Sequence, residues 1–164
     1  MELDQAQTYR PAVSPKMQVP AKNERKTLPL KKSRLSSELE TLWAVSKRTF
    51  SSGNRMAVHR FLEAIFNLVS RWEEEDRLEE GLYRLLDSLK APVTLKIGEA
   101  FAVVIYCTAP HVDKKSRSKW ARALRYAAAN KSVDESIRSF FKRKGGINAC
   151  ASRYAQDVRR PGSD

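Results

Sequence analysis

Between residues 58 and 72 the chain places Val58, Phe61, Leu62, Ile65, Leu68, Val69 and Trp72 at steps of three and four. An α-helix turns once in about 3.6 residues, so this spacing gathers the seven side chains into one broad apolar stripe. A strand would send them to both of its faces. A stripe this wide needs cover, and the flanking sequence offers it at the same period. Leu39, Leu42, Trp43 and Phe50 precede it, and Leu78, Leu82, Leu85, Leu86 and Leu89 follow it up to Pro92. These leucines and the stripe together present more apolar surface than a 70-residue unit readily hides, which raises homodimerisation through these helices as an expectation.

Local signals divide the segment. Ser37 and Glu40 have capping-box spacing, so the first helix is expected over 38–50 and order is expected to begin near Ser37. Ser51, Ser52 and Gly53 break it, and Asn54 is a candidate cap for the stripe helix. The carboxylates of Glu73, Glu74, Glu75 and Asp76 mark either a solvated stretch of one long helix or a corner between two. Residues 93–109 are ambiguous. Val93, Leu95 and Ile97 alternate with Thr94 and Lys96, and Phe101 to Thr108 is rich in β-branched residues, so a hairpin across Gly98 and Glu99 fits the pattern. A buried helix over 98–108 is the preferred reading, because an isolated two-stranded hairpin has little stability of its own. Pro110 ends that element, and Asp113 can cap the next.

Charge is distributed unevenly. The 164 residues carry 31 Lys and Arg against 19 Asp and Glu, a formal +12. Residues 37–90 are slightly acidic, with 8 basic and 10 acidic side chains, whereas 113–164 hold 14 and 5 and residues 1–36 hold 8 and 3. The excess sits at the two ends, and it favours polyanionic partners. Residues 1–36 contain Pro11, Pro15, Pro20 and Pro29 among isolated apolar residues, and are read as a disordered basic arm. Lys22, Arg25, Lys26, Lys31, Lys32 and Arg34 could scan a polyanion, act as a nuclear address or simply solubilise the chain.

Three helices fit residues 113–160. In the first, Trp120, Ala123, Leu124, Ala127 and Ala128 form a narrow apolar face, with Lys115, Lys119, Arg122 and Tyr126 in a row opposite. The second is expected to start from a capping box of Ser132 and Glu135, to bury Val133, Ile137, Phe140 and Phe141, and to end in Lys142, Arg143 and Lys144. Gly145 and Gly146 then permit positive φ and a sharp turn. In the third, Ile147, Cys150, Ala151, Tyr154, Ala155 and Val158 face inward. Asn148, Ser152, Arg153, Gln156, Arg159 and Arg160 face outward.

Over residues 133–159 this layout resembles a helix-turn-helix. It departs from the motif at its turn: with Gly146 as the turn glycine, Lys142 stands where a small residue is usual and Gly145 where an apolar one is, and with Gly145 as the turn glycine, Phe141 and Lys144 take those places. The resemblance implies a last helix lying in the major groove of a duplex, with neighbouring cations on phosphates. Lys115, Lys119, Arg122, Lys142, Arg143, Lys144, Arg153, Arg159 and Arg160 are the expected backbone contacts. Asn148, Ser152 and Gln156 are the expected base-edge contacts.

Other chemistries find little support. Two cysteines, Cys107 and Cys150, cannot on their own make a disulfide framework or a four-ligand zinc site, Pro110 interrupts any alignment of Cys107 with His111, and both cysteines read as small core residues. His59 has no nucleophile at elbow spacing. No cofactor, metal or small-molecule substrate is expected, and the protein is read as non-enzymatic. No run approaches 18 apolar residues and the start of the chain lacks an apolar leader core, so a cytoplasmic protein without membrane contact is expected. The whole is read as all-α: a disordered basic arm over 1–36, a helical core over 37–109 and a basic tri-helical region over 113–160. Its expected role is binding of nucleic acid, duplex DNA before RNA, with docking of an acidic protein partner as the alternative.

Overall fold

A computed structural model describes residues 33–51, 55–89 and 99–159. Among these residues there are seven α-helices and no strand: α1 (Arg34–Ser51), α2 (Arg55–Glu74), α3 (Leu78–Ser88), α4 (Ala100–Thr108), α5 (Lys114–Asn130), α6 (Ile137–Arg143) and α7 (Ile147–Arg159). The expected all-α class is what the chain adopts. None of the described helices is long and apolar enough to cross a membrane.

The stripe on α2 organises the rest. Phe61, Leu62, Ile65, Val69 and Trp72 have no exposed surface, and α2 touches α1, α3, α4, α5 and α6. Most of the stripe is thus covered within the chain, while Met56, Tyr83 and Leu89 stay exposed. Leu124, Ile137, Phe140 and Phe141 of the C-terminal helices belong to the same buried cluster as the stripe. An aromatic group fastens the C-terminal helices on. Phe50 lies 5.3 Å from Phe61, 4.5 Å from the His111 ring and 6.2 Å from Trp120.

Residues 100–108 are helical, as the preferred reading required. Phe101, Val103, Val104, Ile105, Cys107 and Thr108 are all buried, the mark of a helix apolar on every side. Its free C-terminal carbonyls need donors in that dry setting. The Ser46 hydroxyl of α1 donates to the Thr108 carbonyl, and the Thr108 hydroxyl donates to Val104 O at 2.7 Å. Val93, Leu95, Ile97 and Gly98 lie outside the described residues, as do Asn54 and residues 1–32 of the expected arm.

One boundary differs from expectation, and one left open is decided. Helix α1 starts at Arg34, so residues 34–36 of the expected arm are helical and the Ser37–Glu40 box does not form. Ser33 takes the capping role, its hydroxyl accepting from the Ser36 amide at 3.3 Å. The reason lies in burial: Leu35, one turn before Leu39, joins the core and extends the helix. The acidic cluster resolves as a corner. Arg77 N–H donates to Trp72 O at 2.7 Å and Asp76 N–H to Glu73 O at 3.2 Å, the paired bonds of a Schellman ending, with Asp76 at φ 53° where glycine is usual.

This corner is tied down by charge. Glu75 accepts from Arg77 and Arg34, each at 2.6 Å, and these guanidinium bonds hold its carboxyl below the ordinary range. Glu38 accepts from the Trp72 indole at 2.9 Å, with Arg34, Arg71 and Arg77 within 3.5 Å. Gly81 completes the packing, since a Cβ there would stand 2.6 Å from the Trp72 ring.

Gly81→Ala should therefore lower the urea midpoint. Overpacking against a fixed indole costs about 1–3 kcal/mol, set against about 1 kcal/mol of gained helix propensity. Asp76→Gly should do the reverse, raising stability by about 1 kcal/mol as the left-handed strain at a non-glycine residue is relieved.

Candidate nucleic-acid interface

Helix α5 opens on Asp113, whose carboxylate accepts from the Ser116 amide at 2.9 Å; hydrogen bonds from Ser116 lower its pKa. Its most extensive partner is α7, with α4 and α6 against other sides. Ala121, Ala123, Leu124, Tyr126 and Ala127 are buried on α5, and Cys150 and Ala151 on α7, small residues that suit close helix pairing. With partners on several sides, α5 hides more than the narrow face expected. Ala128, expected inward, is exposed.

The anticipated row on α5 is only partly realised. Lys115 is exposed and Lys119 and Arg122 are half-exposed, but Tyr126 retains 8% of its surface, its ring 5.9 Å from Phe140. Helix α6 covers that end of the row. Tyr126 is thus a core residue.

The start of α6 also shifts. Its cap is Ser136, whose hydroxyl accepts from the Ser139 amide at 3.1 Å, and the Ser132–Glu135 box is absent. Val133 is 94% exposed instead of buried. The Lys131 ammonium accounts for the difference, donating to the carbonyls of Ser132 at 2.7 Å and Glu135 at 2.8 Å and so wrapping the preceding loop around itself. Glu135 is then free to meet Arg143, which donates to both its carboxylate oxygens at 2.9 and 2.6 Å.

The glycine pair does what its composition allows. Gly145 and Gly146 adopt φ 86° and 95°. Gly146 N–H donates to Phe141 O at 2.6 Å and Gly145 N–H to Lys142 O at 3.4 Å, which closes α6 in a Schellman motif. The Gly146 carbonyl then accepts from the Cys150 amide at 3.1 Å and starts α7. Two residues thus end one helix and begin the next.

On α7, Asn148, Ser152, Arg153, Gln156 and Arg159 are all exposed, as the sequence pattern required. Helical spacing puts Asn148, Ser152, Gln156 and Arg159 within one sector of about 80°. Arg160 lies outside the described residues. Val158, expected inward, is 61% exposed. The expected phosphate contacts differ in availability. Lys115, Lys142 and Arg159 are exposed with no acidic side chain within 4 Å among the described residues. Arg153 braces the turn by donating to Lys144 O at 2.5 Å, Arg143 is held by Glu135, and Lys144 is half-buried.

A second cationic feature escaped the sequence reading. A groove of about 610 Å³ runs between α4, α5 and α7, and Lys114, Arg117, Arg122 and Arg125 of α5 line it. The Arg117 guanidinium lies 4.8 Å above the Tyr106 ring of α4. Arg125 lies 5.8 Å from the Tyr154 ring of α7 and donates to its hydroxyl at 3.2 Å. Glu99, 3.5 Å from Arg125, is the acid at the rim. Residues 114, 117, 118, 121 and 125 recur at the same helical steps as the row that was singled out, so the signal was present, one step around the helix.

Cys107 and Cys150 are buried as the sequence suggested; burial pushes the Cys107 thiol up to about 11 and raises that of Cys150. His111 packs on Phe50, and His59 lies 6.1 Å from the Phe141 ring. Among the described residues no three His, Cys, Asp or Glu side chains converge to hold a metal ion. No protein-family model, curated protein or solved structure matches the chain.

Gly145→Ala should destabilise the protein by about 1–2 kcal/mol, the cost of a left-handed non-glycine residue; its Cβ would meet Ala149 at 3.4 Å, so the effect is conformational. Arg143 holds the Glu135 carboxyl below its ordinary 4.5. Its stabilisation is therefore present above that value and lost as pH falls through the lowered one. Acid titration of Glu135→Gln by circular dichroism should show a shallower loss below pH 4.5 than the parent.

Proposed function

We propose that this protein binds nucleic acid without catalysing a reaction, contacting duplex DNA through the basic face of α5, α6 and α7 in a regulatory or accessory role. The observation that carries the reading is the outward sector of α7. Asn148, Ser152 and Gln156 stand exposed there beside Arg153 and Arg159, with Lys142 exposed at the end of α6. Amide and hydroxyl side chains read base edges, and flanking cations hold phosphates and set the register. The helix–glycine turn–helix arrangement of α6 and α7 supports this by leaving the sector clear of the core.

In this reading Lys115, Lys119, Arg122, Lys142, Lys144, Arg153 and Arg159 meet the backbone. Arg143 joins them on leaving Glu135. The charge of the segment favours the same partner: 14 basic residues face 5 acidic ones over 113–164, and bringing phosphates alongside relieves their mutual repulsion.

Binding to labelled random duplex, measured across a salt series, tests the proposal. Affinity should fall steeply with salt, and a Lys115→Ala, Lys142→Ala, Arg159→Ala variant should lower the slope of log K against log salt by about 2 to 3 units, at roughly 0.9 per lost phosphate contact. Glu135→Gln should tighten binding by freeing Arg143. No shift of duplex at low salt would overturn the reading and leave an acidic protein as the partner to seek.

A further inference from the structure

The groove between α4, α5 and α7 calls for a different ligand from the convex face of α7. We infer that it is a separate site for a small organic phosphate of mononucleotide size, with the phosphate on Arg117 and Lys114 and the ring over Tyr106 and the alanines of the floor.

Volume sets the first limit. About 610 Å³ lies in the range of small-molecule sites and would hold a nucleotide-sized molecule. Charge sets the second. Four cations, Lys114, Arg117, Arg122 and Arg125, line the groove with one carboxylate, Glu99, so a ligand bearing two negative charges is favoured over a neutral or cationic one. Glu99 already engages Arg125 at 3.5 Å, which leaves Arg117 and Lys114 for the incoming anion. The strongest indication is at Arg117. Its Nε is buried with no acceptor, and its guanidinium is held 4.8 Å above the Tyr106 ring. A buried Nε–H without a partner is costly, and a phosphate oxygen brought against it would satisfy it with a charge-assisted bond.

The apolar part of the ligand has its own surface. Ala102 and Ala121 form a floor too small to fill the groove, and Tyr106 and Tyr154 wall it from α4 and α7. A flat ring fits between such walls, and stacking on a tyrosine or on an arginine plane is favourable for a nucleobase. A bare phosphate would leave this surface wet. A nucleoside alone would leave the cations unmatched.

This inference does not rest on the reading of α7 as a DNA contact, and its test separates the two. Isothermal titration at low salt would compare ADP, adenosine and inorganic phosphate as probes on the full chain. ADP should bind, with adenosine and phosphate each at least tenfold weaker. Arg117→Gln should weaken ADP tenfold or more and Tyr106→Ala severalfold, whereas Arg48→Gln, which removes a surface cation on α1, should leave ADP unchanged. Folding of each variant is checked by thermal melting. Should Arg117→Gln fail to fold, the exposed Lys114→Gln carries the test and should weaken ADP at least threefold. Duplex DNA at saturation should leave ADP binding intact, and Arg117→Gln should still bind duplex. No heat with ADP at millimolar concentration, phosphate as tight as ADP, or displacement of ADP by duplex would each overturn the separate site.

Discussion

Burial of Trp72 is the contact on which the remaining architecture leans. It ends the α2 stripe where α1 and α3 converge, so its position sets how both helices approach the stripe. Three features fix it together: the Glu38 carboxylate accepts its indole proton, Gly81 leaves room for the flat ring, and the left-handed Asp76 turns the chain back. An indole N–H sealed in a core needs an acceptor, and a carboxylate drawn into that setting needs cations. Arg34, Arg71 and Arg77 supply them. Apolar packing and ion pairing are therefore one construction here, each making the other tolerable.

The same pairing separates the two ends of the described helices. Around α1 to α3, arginines are matched by Glu38, Glu75 and Glu80. On α5 to α7 the matching is sparse, with Glu135 on Arg143 and Glu99 on Arg125. Cations that neutralise local acids are structural, and cations left over define a field that reaches into solvent. The distinction depends on which charges meet in space, which a count along the chain only approximates. Arg34 illustrates it: the basic arm as read from sequence includes it, yet it closes the corner after α2 by binding Glu75.

What the sequence disclosed and what it hid follow from the range of the forces involved. The α2 stripe, the buried α4 and the glycine turn were legible because each is written in consecutive residues: a period of 3.6, an apolar run, two residues without side chains. The outward sector of α7 was legible for the same reason. Helix starts at Ser33 and Ser136 were misplaced because capping boxes at Ser37 and Ser132 were locally plausible, and tertiary contacts decided otherwise, through Leu35 in one case and Lys131 in the other. Tyr126 was assigned to a surface row because the α6 that covers it is distant in sequence logic though near in space. The groove was hidden most completely. It needs Tyr106, Arg117 and Tyr154 from three helices, and no spacing along the chain links them.

Helix α5 is where the two proposed contacts divide. Residues on a helix advance 100° per position, so Lys114 and Lys115 already point to different sides, and the cations following each at steps of three and four continue along separate rows. The row of Lys114, Arg117 and Arg125 turns into the groove, while Lys115 and Lys119 stand toward the other side; Arg122 lies between and lines the groove edge. Concentrating this much positive charge on one helix opposes folding through self-repulsion, and an anion bound to the native state alone offsets it by mass action. A phosphate in the groove would act on the α4–α5–α7 junction, and a duplex on the outer faces of α6 and α7. Because α5 and α7 form the most extensive pair among the described helices, either ligand would be felt as stability of the same pair, even though the two share no base or ring contact.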